Sequence, residues 1–340
     1  MSTPPPMKAA VSPRYGPPDL VRIEEVVRPT PEDDELLVKV HATTVNRTDC
    51  GYRSGKPFLI RFFSGLRRPK VSIWGTEFAG DIVAIGSTVT SFRVGDRVCG
   101  YCEGTFGAHA QYMTVRASRL IVVMPEGATF ESAAPSTEGS HYALGIMRAV
   151  GVRSGDDILI YGATGAIGSA AVKIAKSLGL KVTAVCGTAH VALVSGLGAD
   201  KVVDYQTQDF TKDEQKYDLV LDAVGRSSFW RCRRLLKPRG IYTSTDLGRL
   251  ARMPLFFLPA LLGRMSMVLV TRLFRGRRFV FLFPRRDPEG IRYLKGLIES
   301  GEFKPVIDPR RYRLDEIVEA YRYVETGQKI GNVVITVDHA

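Results

Sequence analysis

The stretch Ile158-Leu-Ile-Tyr-Gly-Ala-Thr-Gly-Ala-Ile-Gly-Ser-Ala-Ala-Val-Lys-Ile-Ala-Lys176 decides the fold of this chain. Its apolar start predicts a buried strand, its three glycines predict a turn, and the small and apolar residues that follow predict an amphipathic helix. In such a unit the first glycine permits a tight turn, the second lets backbone N–H groups approach an anion, and the third lets the helix pack closely on the sheet. The stretch therefore predicts a pyrophosphate site for a dinucleotide.

The spacing of these glycines is G-x-x-G-x-x-G rather than the more familiar G-x-G-x-x-G, and glycine triplets also occur in purely structural turns. The context favours the dinucleotide site, because a second strand, Lys181–Val185, follows the helix at the expected distance. The residues expected to contact the cofactor in this turn are Gly162, Thr164, Gly165, Ala166, Ile167 and Gly168.

The end of the second strand bears on which dinucleotide binds. An Asp or Glu there would bind the ribose 2′-hydroxyl and repel a 2′-phosphate. The chain instead has Cys186-Gly-Thr-Ala-His190, so NADPH is favoured over NADH, with Thr188 as a hydroxyl donor to the 2′-phosphate and His190 as a second contact. No arginine lies in this turn to bind the phosphate in a bidentate manner, so loose selectivity is the alternative.

The chain has 340 residues, a length that favours two domains. Short β-type runs such as Leu36–Val40 and Ile82–Ile85 fill its first part, whereas from about residue 133 short strands alternate with helical stretches, which is typical of a parallel sheet. We expect domains at 1–132 with 285–340 and at 133–284. The strands predicted for the second are Ile158–Tyr161, Val182–Val185, Lys201–Val203, Leu219–Leu221, Gly240–Ser244 and Phe279–Phe283.

Composition excludes several classes of protein. Hydrophobic residues make up 45% and charged residues 24%, which is typical of a folded globular chain rather than a disordered one. The five cysteines are an odd number spread thinly, so reduced thiols and a cytoplasmic location are expected. The apolar segment 255–270 is interrupted by Pro259 and Arg264 and is short for a bilayer, so a buried helix, an interface or a lid is favoured and no membrane span is predicted.

The net charge of +12 is concentrated in one region. Residues 226–311 contain 20 Lys and Arg against 6 Asp and Glu. Such a field favours a phosphorylated cofactor, an anionic substrate, nucleic acid or an acidic membrane surface. Because no RNA-binding motif or array of aromatic residues accompanies it, nucleic acid is not an expected partner.

Several motifs resemble the medium-chain dehydrogenase/reductase superfamily in order and spacing over essentially the whole chain. They are Val45-Asn-Arg-Thr-Asp49, Gly75-Thr-Glu-Phe-Ala-Gly80, Val94-Gly-Asp-Arg-Val98, Gly301-Glu-Phe-Lys-Pro-Val-Ile307 and Gly327-Gln-Lys-Ile-Gly-Asn-Val-Val-Ile335. The resemblance implies an α/β protein with a GroES-like, β-rich catalytic domain and a Rossmann domain, whose doubly wound parallel sheet has six strands.

The absence of zinc ligands in these motifs indicates which branch of the superfamily the chain resembles. Asn46 and Thr76 stand where the zinc-dependent alcohol dehydrogenases carry Cys and His, and neither is a good zinc ligand. Cys99 and Cys102 alone are too few for the family's structural zinc site, so no metal is predicted. The chain resembles the zinc-independent quinone oxidoreductases, zeta-crystallin and enone reductases. This implies hydride transfer from NADPH to a quinone or to the C=C bond of an enal or enone, in a homodimer.

Without a metal, hydrogen-bond donors must stabilise the developing enolate or alkoxide. The resemblance points to Asn46 and to Tyr52, although Tyr52 lies one residue beyond the family's usual tyrosine position and is alternatively a packing residue. His141 lies where the family places a Thr-Ala stretch beside the nicotinamide; it is either a proton donor or a structural histidine. Asp49 is expected to brace the local backbone.

The resemblance also suggests further cofactor contacts. Tyr205 matches a tyrosine near the adenosine phosphate, and Val224 follows a strand at the carboxyl edge of the sheet, where ligands bind in open α/β folds. Phe281, Phe283 and Asn332 match positions from which the family reaches the nicotinamide half.

Two other functions stay open from the sequence. One is an NADP-dependent alcohol dehydrogenase or carbonyl reductase. The other is a non-catalytic NADPH-binding regulator or nucleic-acid-binding protein, since a fold and its cofactor site can outlast catalysis.

Overall fold

The computed structural model describes residues 5–245, 266, 268, 270–271, 276–280 and 288–339. The chain divides into two compact units, of which the first comprises Met1–Glu138 with Ile291–Ala340 and the second comprises Gly139–Gly290. The domain limits expected from the sequence stay a prediction. No helix in the described ranges is long and apolar enough to cross a membrane.

The bounds of the strands and α-helices are as follows. The strands are β1 Pro6–Val11, β2 Arg22–Val27, β3 Glu35–Val45, β4 Glu77–Ile85, β5 Arg97–Tyr101, β6 Tyr112–Arg116, β7 Leu120–Val123, β8 Asp157–Tyr161, β9 Lys181–Cys186, β10 Lys201–Asp204, β11 Tyr217–Asp222, β12 Leu236–Ser244, β13 Arg278–Val280, β14 Ile307–Arg313 and β15 Asn332–Thr336. The α-helices are α1 Arg47–Ser54, α2 Ile60–Ser64, α3 Phe130–Ala133, α4 Glu138–Val150, α5 Ala166–Ser177, α6 Val191–Gly196, α7 Phe229–Cys232, α8 Pro288–Glu299 and α9 Ile317–Thr326.

The first unit is built around β3, a strand of 11 residues. It belongs to a seven-stranded sheet of order β14-β15-β3-β4-β5-β7, with β6 also paired to β3. Its antiparallel partner β4 pairs along most of its length, while β6 pairs with its first residues and β15 with its last. Apolar residues of β3 such as Leu36, Val38 and Val40 are fully buried and pack with Phe78 and Ile121 in the core. The start of α1 follows β3 directly, so Asn46 is fixed at the edge of this core.

The second unit contains the expected six-stranded parallel sheet, in the order β10-β9-β8-β11-β12-β13. The chain runs outward from β8 to β10 and then returns to β11 on the other side of β8. The carboxyl ends of β8 and β11 therefore form the point where strand order reverses, and ligands bind at that point in open α/β sheets. The predicted strands coincide with these, except that β12 begins at Leu236 and that Phe281–Phe283 lie outside the described residues.

Candidate functional site

The glycine turn between β8 and α5 has no room for side chains at two of its three glycines. Gly162 has a φ of +87°, and a Cβ there would lie 2.1 Å from Cγ2 of Val224. A Cβ on Gly168 would lie 2.1 Å from the carbonyl oxygen of Gly162. The turn is therefore packed tightly both against the end of β11 and against the first turn of α5.

Gly165 is different, because it is the N-cap of α5 and has ordinary extended dihedral angles of −76° and 170°. A Cβ there would meet only the carbonyl oxygen of Gly162, at 3.7 Å. No side chain caps the helix, and its first turn has no acidic residue. The first N–H groups of an α-helix have no partner within the helix, and the helix dipole favours an anion there. The turn and this helix start fit the pyrophosphate of a dinucleotide.

The end of β9 places Thr188 beside Asp204, a carboxylate of the neighbouring strand. Thr188 Oγ1 donates to Asp204 Oδ2 at 2.6 Å, and Thr188 N donates to Gln206 Oε1 at 3.0 Å. The hydrogen bond from Thr188 and the backbone N–H of Gln206 hold the pKa of Asp204 below its usual value. Asp204 ends β10, the parallel neighbour of β9. The sequence does carry a signal for this, since parallel neighbours end at the same edge of a sheet.

A cavity of about 340 Å³ opens at the carboxyl edge of the second unit's sheet. Three aromatic rings line it: Tyr161 stacks on Phe210 at 4.8 Å between centroids and meets Tyr205 edge-on at 6.4 Å. Two arginines, Arg226 and Arg231, line the same cavity. Such a combination of flat apolar faces and cations suits an aromatic base with a phosphate group.

The loop after β11 is held by one carboxylate. The two oxygens of Asp222 accept hydrogen bonds from the backbone N–H groups of Val224, Gly225 and Ser227, at 2.8 to 3.0 Å. The hydroxyl of Tyr242 donates to Oδ2 of the same group. This arrangement fixes Val224 against Gly162 and sets the start of the arginine-bearing loop.

In the first unit, Asn46 lies in a buried polar cluster and is only 2% exposed. Its Nδ2 donates to Glu77 Oε2 at 2.9 Å, to Thr44 Oγ1 at 3.1 Å and to Glu138 Oε2 at 3.3 Å. Its Oδ1 is buried without a hydrogen-bond partner. The start of α1, the start of β4 and the start of α4 meet at this amide.

Glu77 holds the cluster together through five hydrogen bonds. Its Oε1 accepts from the hydroxyl and the N–H of Thr137 and from the N–H of Glu138, while Oε2 accepts from Thr44 and Asn46. These bonds satisfy N–H groups at the start of α4, where an anion is favourable. Charged groups are rarely buried unless they are paired. The position of Glu77 at the start of an apolar strand was therefore a sequence signal for a buried polar cluster. Sequence reasoning missed it.

Glu138 and Asp49 complete the cluster. Thr76 Oγ1 bridges them, with distances of 2.8 Å to Glu138 Oε2 and 3.2 Å to Asp49 Oδ1, and Thr48 Oγ1 donates to Glu138 Oε1 at 2.5 Å. Asp49 Oδ2 also accepts from the N–H of Asn46 at 2.8 Å, which is the backbone role expected of it. Burial raises the pKa of all three carboxyl groups, and that of Asp49 rises to about 7. The negative charges of Glu77 and Asp49 raise the pKa of Glu138 further.

The raised pKa of Asp49 predicts how stability depends on pH. A carboxyl group with a folded pKa near 7 and an unfolded pKa near 3.9 retains a proton in the folded state that the unfolded chain has lost. This group therefore makes stability fall as pH rises from about 4 to 7, by up to about 1.4 kcal/mol per pH unit. Asp49→Asn, whose amide replaces the protonated acid, should flatten this part of the curve, as measured by urea unfolding between these pH values.

The matched control is Asp96→Asn, because Asp96 Oδ2 likewise accepts a backbone N–H three residues before it, that of Arg93, but on an exposed turn. This variant should leave the slope of stability against pH unchanged. If Asp49→Asn keeps the wild-type slope, Asp49 does not bind a proton on folding in this range.

Tyr52, another predicted catalytic residue, bonds to a carboxylate outside the cluster around Asn46. Tyr52 Oη donates to Glu103 Oε1 at 2.9 Å, and its ring meets Phe106 edge-on at 4.6 Å. Burial and Glu103 raise the pKa of Tyr52. His141 belongs to α4 in the second unit, where its ring lies edge-on to Tyr142. The structure thus gives Tyr52 both a polar partner and a packing role, and the catalytic roles of both residues stay predictions.

The remaining predicted cofactor contacts are found in both units. In the second unit the glycine turn lies against Val224, and Thr188 and Tyr205 follow the ends of β9 and β10. His190 ends the short 3-10 turn that begins at Thr188. Asn332 starts β15 in the first unit, and its Nδ2 donates to the carbonyl oxygen of Val306 at 3.0 Å. Phe281 and Phe283 lie outside the described residues.

The cluster around Asn46 does not fit a zinc ion. Amide nitrogen and threonine hydroxyl groups are poor zinc ligands, and the oxygens of Glu77 and Glu138 are occupied by protein donors. Within the described ranges no group of three or more His, Cys, Asp or Glu side chains is arranged to hold a metal ion.

Comparison with known proteins identifies the family. Residues 32–126 match the alcohol dehydrogenase GroES-like domain, and residues 197–335 match the zinc-binding dehydrogenase family. A 2-methylene-furan-3-one reductase of Solanum lycopersicum is 30% identical over 98% of this chain and 80% of its own length. An NADPH-dependent alkenal/one oxidoreductase of Arabidopsis thaliana, described as chloroplastic, has the same identity and coverage. The chain belongs to the medium-chain dehydrogenase/reductase superfamily, in its quinone oxidoreductase and enone reductase branch.

A solved structure agrees with this assignment. The quinone oxidoreductase from Coxiella burnetii is 25% identical to this chain, with a TM-score of 0.80 over 98% of this chain and all of the other. The expected combination of a GroES-like, β-rich part and a parallel Rossmann sheet is confirmed.

Proposed function

We propose that this protein is an NADPH-dependent, zinc-independent oxidoreductase that transfers hydride to a quinone or to the C=C bond of an α,β-unsaturated carbonyl compound. The observation that carries the proposal is the uncapped start of α5 behind the glycine turn, at the point where strand order reverses. The activities in the names of the relatives from Solanum and Arabidopsis support the same reaction class.

The chain's own residues suggest how NADPH would be held. The turn from Gly162 to Gly168 and the first turn of α5 would bind the pyrophosphate, with Val224 beside them. The cavity lined by Tyr161 and Arg226 would take the adenosine half, with Thr188, His190 and Tyr205 toward the 2′-phosphate. The nicotinamide half supplies hydride when the cofactor is bound. Its proposed contacts are the three residues that the family resemblance suggests, Asn332, Phe281 and Phe283.

The polar cluster of the first unit would serve the substrate oxygen. Glu77 fixes the amide of Asn46, and the half-buried hydroxyl of Thr48 is bonded to Glu138. Prearranged donors stabilise negative charge that develops during reaction, which is what an enolate requires in the absence of a metal. Because burial and neighbouring carboxylates raise the pKa of Glu138, this group retains a proton to higher pH. A protonated Glu138 would donate from Oε1 to Thr48 Oγ1, which reverses their hydrogen bond, and the Thr48 hydroxyl would then pass its own proton to the substrate oxygen. Tyr52 and His141 are the alternative proton donors.

Asp204 provides a test of cofactor selectivity. A 2′-phosphate within hydrogen-bonding distance of Thr188 would lie close to the Asp204 carboxylate, which is 2.6 Å from that hydroxyl. Removing this charge by Asp204→Asn should therefore tighten NADPH binding by about threefold in low salt and leave NADH binding unchanged. Cofactor fluorescence titration at two salt concentrations measures both affinities.

Asp33→Asn is the matched control, because Asp33 Oδ1 similarly accepts a hydroxyl hydrogen bond at 2.6 Å, from Ser87, on an exposed turn of the first unit. It should leave the ratio of NADPH to NADH affinity closer to that of the wild type. A loss of NADH affinity in Asp204→Asn, with no gain for NADPH, would instead assign Asp204 to the ribose 2′-hydroxyl.

The reaction itself is tested with chelator-treated protein, NADPH and a simple 2-enal, with NADH in parallel and the product identified. A saturated aldehyde formed preferentially with NADPH is the expected result. An allylic alcohol would move the protein to the carbonyl reductases. Tight NADPH binding without turnover of enals or quinones would favour the non-catalytic regulator.

A homodimer and a cytoplasmic location complete the proposal. Several relatives have names that place them in chloroplasts, so fractionation of the cells that contain this protein is the appropriate test of location. Light scattering coupled to size-exclusion chromatography tests the homodimer.

A further inference from the structure

The segment around α2 has an unusual composition. From Gly51 to Thr76 the chain contains six Lys and Arg residues and no Asp or Glu. Within it, residues 58–70 read Phe-Leu-Ile-Arg-Phe-Phe-Ser-Gly-Leu-Arg-Arg-Pro-Lys, so large apolar side chains and cations are interleaved. We refer to residues 58–70 as the basic apolar segment. Neither the glycine turn nor the cluster around Asn46 includes any of its residues.

Three large apolar side chains of this segment are exposed to solvent. Phe62 is 57% exposed, Phe63 is 68% exposed and Leu66 is 54% exposed. Single exposed apolar residues are common on protein surfaces, whereas a group of three within five positions indicates an interaction surface.

The cations beside them are also available. Arg67, Arg68 and Lys70 are exposed, and within the described ranges none of them forms an ion pair. The segment therefore presents uncompensated positive charge next to apolar side chains.

The segment is fixed to the body of the first unit by its opposite side. The hydroxyl of Tyr15 lies 2.7 Å from both Ser64 Oγ and the carbonyl oxygen of Gly65. The guanidinium of Arg61 lies over the ring of Tyr15 at 4.6 Å and donates to the carbonyl oxygen of Gly55. Because Ser64 is buried by these contacts, the neighbouring phenylalanines face outward.

We propose that the basic apolar segment docks this protein on the surface of an anionic lipid bilayer. Phe62, Phe63 and Leu66 insert at the level of the headgroups, and Arg67, Arg68 and Lys70 bind lipid phosphates. Apolar side chains beside Lys and Arg are the composition of segments that lie in the bilayer interface, and anionic lipids add an attraction for each cation. A nucleic acid would bind the same cations but would leave Leu66 exposed. A bilayer would contact both the cations and the apolar side chains, so it fits this surface better.

The test is sedimentation of the full chain with vesicles of phosphatidylcholine, with or without about a third phosphatidylserine. We expect binding only to the phosphatidylserine vesicles, weakening as salt increases. Phe62→Ser combined with Phe63→Ser should lower the partition coefficient about tenfold. Arg67→Gln combined with Arg68→Gln should lower it by about fivefold for each cation removed.

Matched controls distinguish vesicle binding by this segment from non-specific binding by exposed apolar or basic residues elsewhere in the chain. Val27→Ser with Val94→Ser removes two side chains that are 64% and 61% exposed, and Lys212→Gln with Lys216→Gln removes two exposed cations of the second unit. Both control variants should bind vesicles as the wild type does. Thermal unfolding of every variant shows whether the fold is retained, and charge-neutral serine substitutions at exposed positions should retain it.

Three results would each overturn the proposal. They are no binding of the wild type to phosphatidylserine vesicles at low salt, equal binding of the phenylalanine double variant and the valine control, and salt-sensitive binding to an RNA or DNA oligonucleotide with none to vesicles. The proposal does not depend on the reaction proposed above, since vesicle binding is measured without cofactor or substrate.

Discussion

Gly165→Asp should lower the affinity for NADPH by at least about 100-fold while leaving the protein folded. At the N-cap of α5 the dihedral angles of Gly165 suit aspartate, and its Cβ would make only an ordinary contact with Gly162. The new carboxylate would accept the free N–H groups of the helix start and occupy the place proposed for the pyrophosphate with a negative charge. Fluorescence titration with NADPH, alongside a thermal melt, measures both consequences.

Gly165→Asn is the control for the size of the new side chain. Asparagine caps helices about as well as aspartate but carries no charge, so its loss of NADPH affinity should be clearly smaller. The difference in NADPH affinity between the two variants gives the electrostatic contribution to the loss. NADPH binding that is unchanged in a folded Gly165→Asp protein would remove the glycine turn from the cofactor site.

Asn46→Asp should strongly destabilise the first unit. It replaces the Nδ2 donor, which lies 2.9 Å from Glu77 Oε2 and 3.3 Å from Glu138 Oε2, with a carboxylate oxygen. Burial and like charge would raise the pKa of the new group in the folded state. The cost of ionising it is therefore small below about pH 4, grows as pH rises from there to the raised pKa, and is constant above it. At pH 8 we expect a loss of about 3 to 5 kcal/mol in the free energy of unfolding.

Asn46→Ala separates the lost donor from the added charge. It leaves Glu77 and Glu138 each short of one hydrogen bond, a cost of about 1 to 3 kcal/mol that should depend less on pH. Urea unfolding of both variants at pH 5 and pH 8 gives the comparison. In the proposed reaction Asn46→Ala should also lower turnover while NADPH affinity stays nearly intact. Full activity in this variant would exclude Asn46 from the mechanism.

The parallel sheet of the second unit could be predicted because its signals are local. Each strand is a short apolar run, and the glycines at 162 and 168 meet steric demands set by adjacent elements. A Cβ at Gly168 would lie 2.1 Å from an oxygen only six residues away in the chain. Steric demands between residues so close in the chain can be predicted from the sequence. The sequence likewise shows Asn46 and Thr76 in motifs where related enzymes bind zinc.

The contacts of the candidate site could not be predicted in this way, because they join residues far apart in the chain. Asp204 reaches Thr188 because β10 pairs with β9, and the absence of an acid at the end of β9 did not indicate it. Glu77 and Glu138 meet Asn46 across 31 and 92 residues. The residues at the end of β9 alone therefore do not determine cofactor selectivity.

The sequence by itself determined the class of fold, the position of the glycine turn and the absence of zinc-ligating side chains at Asn46 and Thr76. The tertiary structure decided which charges face one another: Asp204 beside Thr188, three carboxyl groups around one amide, and exposed phenylalanines beside arginines. The physical reason is that turns and strands follow from steric and apolar patterns over a few residues. The pKa of a carboxyl group and the exposure of a side chain depend instead on every atom that packing brings near it.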